Sequence, residues 1–95
     1  MSDIFDVELT KKAQKDLKKL PVFIIEKLFH WVKLVKEEGI RKARTVKSFH
    51  DEPLKGDRKG QRSIRLNDAY RAIYIEKRDG TLEFIEIQEV NNHDY

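Results

Sequence analysis

The apolar residues of this chain change their spacing once, near Gly60, and that switch constrains the fold more than any other feature. Before it, Ile24, Ile25, Leu28, Val32 and Val35 recur at intervals that place them on one face of an α-helix. After it, Ile64 and Leu66 alternate with Ser63 and Arg65, the period of a half-buried strand. Two more extended stretches follow, from Tyr70 to Glu76 and from Leu82 to Val90. A chain that is helical first and extended later has to lay one helical layer on one sheet.

Local signals supply the remaining elements. Phe5, Val7 and Leu9 alternate with Asp6 and Glu8, which predicts a first strand. Thr10 is placed to cap a helix from Lys11, with Ala13, Leu17 and Leu20 on its inner face. Pro21 ends that helix and suits the start of the next, and Gly39 suits its C-terminal cap. Two helices with a Pro corner read as a helical hairpin. Asn67-Asp68 and Asp79-Gly80 are turn signals. Ile73 and Ile75 are expected to share the core face of the middle strand, with Phe84, Ile85 and Ile87 central in the last. The expectation is an α+β fold in the order β-α-α-β-β-β. An N-terminal strand and a helical hairpin precede a three-stranded antiparallel sheet, in one domain over residues 1–95. Helices cover one face of the sheet and leave the other open. Residues 40–60 lack a clear period and read as a long basic loop, with room for a short helix or strand between Arg44 and Phe49.

Charge is distributed unevenly. Residues 41–71 hold 10 Lys/Arg against 4 Asp/Glu, whereas residues 72–95 hold 2 against 6. Six of the seven Arg lie between Arg41 and Arg71. Arg suits planar, bidentate phosphate contacts, so this block is a candidate anion or nucleic-acid surface, or else a solvated face. Within it Lys55, Arg58, Lys59 and Arg62 are the candidate nucleic-acid contacts. Zero cysteines exclude a disulfide scaffold and a thiolate metal site. No apolar run approaches ~18 residues, and the first ten residues lack the pattern of a secretory signal. A cytoplasmic protein without a membrane partner is expected.

The chemistry-bearing residues form no familiar metal or nucleotide motif. His30 has Glu26 four residues before it but no His or carboxylate three or four residues after it, His50 precedes Asp51 and Glu52, and His93 precedes Asp94. None of these spacings suits zinc or calcium, so no metal and no cofactor is expected. Gly56 and Gly60 open no helix and are followed by no Gly-Lys-Ser/Thr, and Ser63 lies in a strand pattern without a nucleophile elbow. A set of polar residues remains. Arg65 projects from the face opposite Ile64 and Leu66. Arg71 shares parity with Ile73 and Ile75, so it sits at the core edge or is paired. Glu52 precedes Pro53 and is biased to extended backbone, and His93 follows the last strand. With Tyr95, these groups suffice for metal-free phosphodiester chemistry on RNA, whose 2′-hydroxyl is the nucleophile. Each also reads as an ordinary surface charge or loop cap.

Three stretches carry a family resemblance: Glu52-Pro53-Leu54-Lys55, Gly60-Gln61-Arg62-Ser63-Ile64-Arg65-Leu66-Asn67-Asp68, and Tyr70-Arg71-Ala72-Ile73-Tyr74. Together they resemble the central block of the RelE/ParE toxin superfamily. The stretch from Gly60 to Asp68 is most similar to HigB-type members. The stretch from Glu52 to Lys55, with a His near a terminal Tyr, is more similar to YoeB-type members. The resemblance implies the toxin of a type II toxin–antitoxin pair, a metal-free and ribosome-dependent endoribonuclease that cleaves mRNA. Its partners would be a cognate antitoxin, mRNA and the ribosome. Carried over by position, Glu52 matches the general base, Arg71 the residue that holds the scissile phosphate, and Arg65 a catalytic cation. His93 matches a C-terminal general acid, and Tyr95 a terminal aromatic that stacks on a base. The alternative is a ParE-like toxin that binds and poisons DNA gyrase. Such members share the fold but usually lack this acid–base set.

Overall fold

Strand β5 (Leu82–Asn92) organises the sheet in the computed structural model, which describes residues 3–92. On one side β5 pairs antiparallel with β4 (Tyr70–Asp79), and beyond that lie β3 (Arg62–Arg65) and β2 (Glu52–Pro53). On its other side the N-terminal strand β1 (Val7–Leu9) runs parallel to it, giving the order β1-β5-β4-β3-β2. Helices α1 (Lys11–Leu17), α2 (Val22–Glu38) and α3 (Ile40–Arg44) follow β1 in the chain. Ala13, Ile24, Leu28, Trp31, Val35 and Ala43 pack against Ile64, Ala72, Tyr74, Ile85 and Ile87, so one face of the sheet is covered. The architecture is the expected α+β pair of layers.

Capping fixes the helices. Thr10 Oγ1 accepts from Ala13 N at 3.0 Å and donates to Gln88 O at 2.8 Å, tying the start of α1 to β5. Asp16 takes the amide of Val90 at 3.0 Å. Those two bonds flank a β-bulge, where the β4–β5 register shifts between Ile73 and Tyr74. One extra residue in β5 flips the residues beyond it to the other side. Glu89 and Asn91 therefore oppose Ile73 and Arg71 on the open face.

The structure corrects three local expectations. Ile73 and Ile75 belong to the open face, and Ala72 and Tyr74 to the helix face. Both parities of β4 are apolar, so alternation there could not choose a side. Ile4, not Phe5, enters the core: the strand begins only at Val7, and Phe5 is exposed. Residues 40–60 hold more structure than a loop. They contain α3, single 3-10 turns at Lys47–Phe49 and Gly56–Arg58, and strand β2.

Helix α3 starts at Gly39, whose φ of 92° and ψ of 159° fall in a region essentially reserved for glycine. A Cβ at this position would stand 2.1 Å from Asp3 Oδ2. That carboxylate needs the space, because Asp3 Oδ1 accepts from the amide of Arg41 at 3.1 Å and caps the helix. Gly39→Ala should lose both the backbone conformation and the cap, about 2–4 kcal/mol in all. Asp3→Ala should lose only the cap, about 1 kcal/mol. Urea unfolding followed by the buried Trp31 measures both. Equal losses would show that the left-handed backbone is not what the position requires.

Candidate active site

The open face is built by strand parity. On β3, Ser63 and Arg65 point away from the helices, and their register partners Ile73 and Arg71 do the same on β4. On β2, Glu52 opposes Ser63 and joins them. These residues meet in a cleft of about 30 Å³ lined by His50, Glu52, Ser63, Arg65, Asn67, Tyr70 and Arg71. Three of the five catalytic candidates, Glu52, Arg65 and Arg71, therefore share one site. The other two, His93 and Tyr95, lie outside the described residues.

One end of the cleft is held by side-chain hydrogen bonds. Asn67 Oδ1 accepts from the amides of Ala69 and Tyr70 at 2.8 Å each, which fixes the turn between β3 and β4. Arg65 and Arg71 face each other across the ladder. Both guanidinium groups therefore belong to the open face of the sheet. Across the cleft, His50 Nε2 stands 3.4 Å from Glu52 Oε2, and both side chains are about half exposed.

His50 is a site residue that its metal-ligand spacing does not reveal. No local signal places it, because His50 lies outside β2 in a left-handed turn and strand alternation does not reach it.

The four candidate RNA contacts separate. Lys55 and Lys59 are exposed on the segment between β2 and β3. Arg58 is anchored, with Nε 2.8 Å from Gln61 Oε1 and a guanidinium nitrogen 3.2 Å from Glu89 Oε2. Arg62 leaves this face altogether. It opposes Tyr74, points to the helix side, and donates from Nε to Asp51 Oδ1 at 2.7 Å. Its inclusion among surface contacts is corrected by parity: Arg62 aligns with Ile64 and Leu66, not with Arg65.

Asp51 is the buried end of a polar chain. Tyr74 donates its hydroxyl proton to Asp51 Oδ2 at 2.5 Å, Arg44 Nε stands 3.3 Å from the phenol oxygen, and Arg44 pairs with Glu76. Burial, and then the negative charge of Asp51, push the Tyr74 phenol well above the usual tyrosine range. Its proton therefore stays on the donor. The stability it contributes is complete below the unfolded value near ~10 and fades as pH rises beyond that. Burial alone would lower Arg44, but its bonds to Tyr74 and Glu76 outweigh that and hold it above the usual range.

A second, larger cavity of about 270 Å³ lies between α3 and the β4–β5 hairpin, lined by Asp3, Ile4, Ile40, Arg41, Arg44, Glu76, Arg78 and Glu83. Arg44 and Arg78 are neutralised there by Glu76 and Glu83. Among the described residues, no group of three or more His, Cys, Asp or Glu stands together as a metal site. No helix there is long and apolar enough to cross a membrane.

No family model matches the chain, and no curated protein matches it. Solved structures do. The chain is similar to a YoeB/ParE toxin from Agrobacterium tumefaciens at 21% identity and a TM-score of 0.70, over 93% of this chain and 98% of the other. It is similar to YafQ from E. coli strain BL21(DE3) at 18% identity and a TM-score of 0.72, over 93% and 92%. It is similar to the archaeal RelE of a RelE–RelB complex from Pyrococcus horikoshii OT3 at 22% identity and a TM-score of 0.69, over 95% and 96%. The fold is that of the RelE/ParE toxins.

Proposed function

We propose that this chain is the toxin of a toxin–antitoxin pair and a cytoplasmic endoribonuclease that cuts mRNA on the ribosome. The observation that carries this reading is the meeting of Arg65, Arg71, Glu52 and His50 in one cleft. Two arginines lining the same cleft as a touching His–Glu pair support it, because phosphodiester cleavage needs both charge stabilisation and proton transfer. The 2′-hydroxyl loses its proton to the His50–Glu52 pair and attacks phosphorus. The bond from phosphorus to the 5′-oxygen breaks, and that oxygen takes a proton from a general acid. The products are a 2′,3′-cyclic phosphate and a 5′-hydroxyl. Arg65 and Arg71 stabilise the charge that grows on the phosphorane oxygens. His93 is the general acid and Tyr95 stacks on a base, both on the strength of the sequence resemblance.

The test is brief induction of the protein followed by mapping of RNA ends. New 5′-hydroxyl and cyclic phosphate ends within translated messages are expected. Intact RNA with damaged DNA would replace this reading by gyrase poisoning. Intact RNA and DNA would leave a protein that only binds an antitoxin.

The basic segment beside the cleft should grip the RNA backbone. Replacing Arg58 and Lys59 together with Ala should lower the salt slope of single-stranded RNA binding by roughly one to two units. Glu89→Gln frees Arg58 from its carboxylate partner and should tighten binding about two- to five-fold. Fluorescence anisotropy across a salt series reads both. An unchanged slope in the double variant means these cations are only solvated.

A further inference from the structure

The strap that carries His50 and Glu52 is poorly held by its own strand. β2 is two residues long at the sheet edge, with Glu52 opposite Ser63 and Pro53 opposite Arg62. His50 adopts φ 46° and ψ 53°, and among the described residues no other non-glycine has a positive φ. A residue with a Cβ takes this left-handed conformation only where its surroundings impose it.

The anchor lies between the two cleft residues in the chain. Asp51 turns the opposite way, and its side chain is 0% exposed. It is met by two donors, Arg62 Nε at 2.7 Å and the Tyr74 hydroxyl at 2.5 Å. Both donors are themselves fixed. Arg62 comes from the adjacent strand β3, and Tyr74 is clamped between the Trp31 ring, 5.1 Å away, and Arg44. A buried carboxylate with two short, charge-assisted or phenolic bonds has one position. The backbone on either side of it follows.

We propose that Asp51 is a positioning residue: docked on Tyr74 and Arg62, it locks the left-handed turn at His50 and so sets the His50–Glu52 pair against Arg65 and Arg71. The inference rests on the nuclease reading of the cleft. It also gives Arg62 a role, as a buttress of the strap and not as a contact to RNA.

The experiment compares wild type, Asp51→Asn and Tyr74→Phe. Asp51→Asn keeps the shape but replaces one of the two acceptor oxygens with an amide donor, so one of Arg62 and Tyr74 loses its acceptor. Tyr74→Phe keeps the ring packing and the Arg62 bond and removes one anchor. Each variant is checked for cooperative melting. Cleavage of mRNA on programmed ribosomes is then followed at saturating and at limiting protein. In parallel, NMR reads the His50 backbone carbon shifts and its imidazole signals. Asp51→Asn should cut at least 30-fold more slowly at saturation, with half-saturation within about threefold of wild type. Tyr74→Phe should lose about tenfold. In both, the His50 shifts should leave the left-handed range. A general loss of structure would instead weaken binding and rate together, and would overturn the proposal. So would folded variants with wild-type rates and wild-type His50 signals. If neither variant melts cooperatively, Asp51 holds the core and not the strap, and the proposal fails. If wild type cuts no RNA, the nuclease reading falls, while the His50 shifts still show whether Asp51 locks the turn.

Discussion

Arg71→Ala should lower the single-turnover rate of mRNA cleavage by ~100- to 1,000-fold, about 3–4 kcal/mol of transition-state stabilisation. The size follows from what the guanidinium meets. Negative charge grows on the phosphorane oxygens only as the 2′-oxygen attacks, so a donor fixed beside the phosphate acts mainly on the rate. Arg71 is fixed by its strand, between Arg65 on β3 and Asn91 on β5. Arg71→Lys keeps the charge but not the planar fork, and should recover only a small part of the rate. Arg71 lies on the open face, outside the core under the helices, so the melting temperature should stay within about 5 °C of wild type. A folded Arg71→Ala protein with full toxicity in cells would take Arg71 out of the site.

The groups proposed to transfer protons should have the next largest effect, and two substrates separate their roles. Glu52→Gln and His50→Gln should each slow cleavage by ~100-fold or more. Because the two side chains touch, the double variant should be little slower than the worse single one. His93→Gln should slow the same reaction to a similar degree if His93 protonates the leaving oxygen. A substrate with sulfur in place of the 5′-bridging oxygen has a leaving group that needs no proton. It should restore the His93 variant and leave the Glu52, His50 and Arg71 variants slow. Rescue of the Glu52 variant would make the carboxylate the acid and reverse the assignment. Additive losses from Glu52 and His50 would mean that the two groups act in separate steps.

Much of this architecture is legible in the residues alone. Helical spacing from Ile24 to Val35, the Thr10 cap and the hairpin at Gly80 are local properties, and each appears where its residues predict. Arg65 is legible as an open-face residue because Ile64 and Leu66 leave it only one side. Glu52, Arg65 and Arg71 can be named, but from residue resemblance, since nothing local shows that they converge. Helix α3 stays hidden because its cap is Asp3, 38 residues away along the chain and close only after β1 and α2 have packed.

Local sequence determined where this chain bends, caps and alternates, because those choices depend on neighbours a few residues apart. Tertiary packing decided which side of each element became the site. β4 offers two apolar faces, and Tyr74 turned inward because Trp31, Arg44 and Asp51 wait there for its ring and hydroxyl. One extra residue in β5 then carried Glu89 and Asn91 to the open face, a shift that exists only relative to β4. Asp51, buried against Tyr74 and Arg62, left His50 and Glu52 facing the arginines. A carboxylate withdrawn from water must find donors, and the donors that Asp51 finds lie 11 and 23 residues further along the chain.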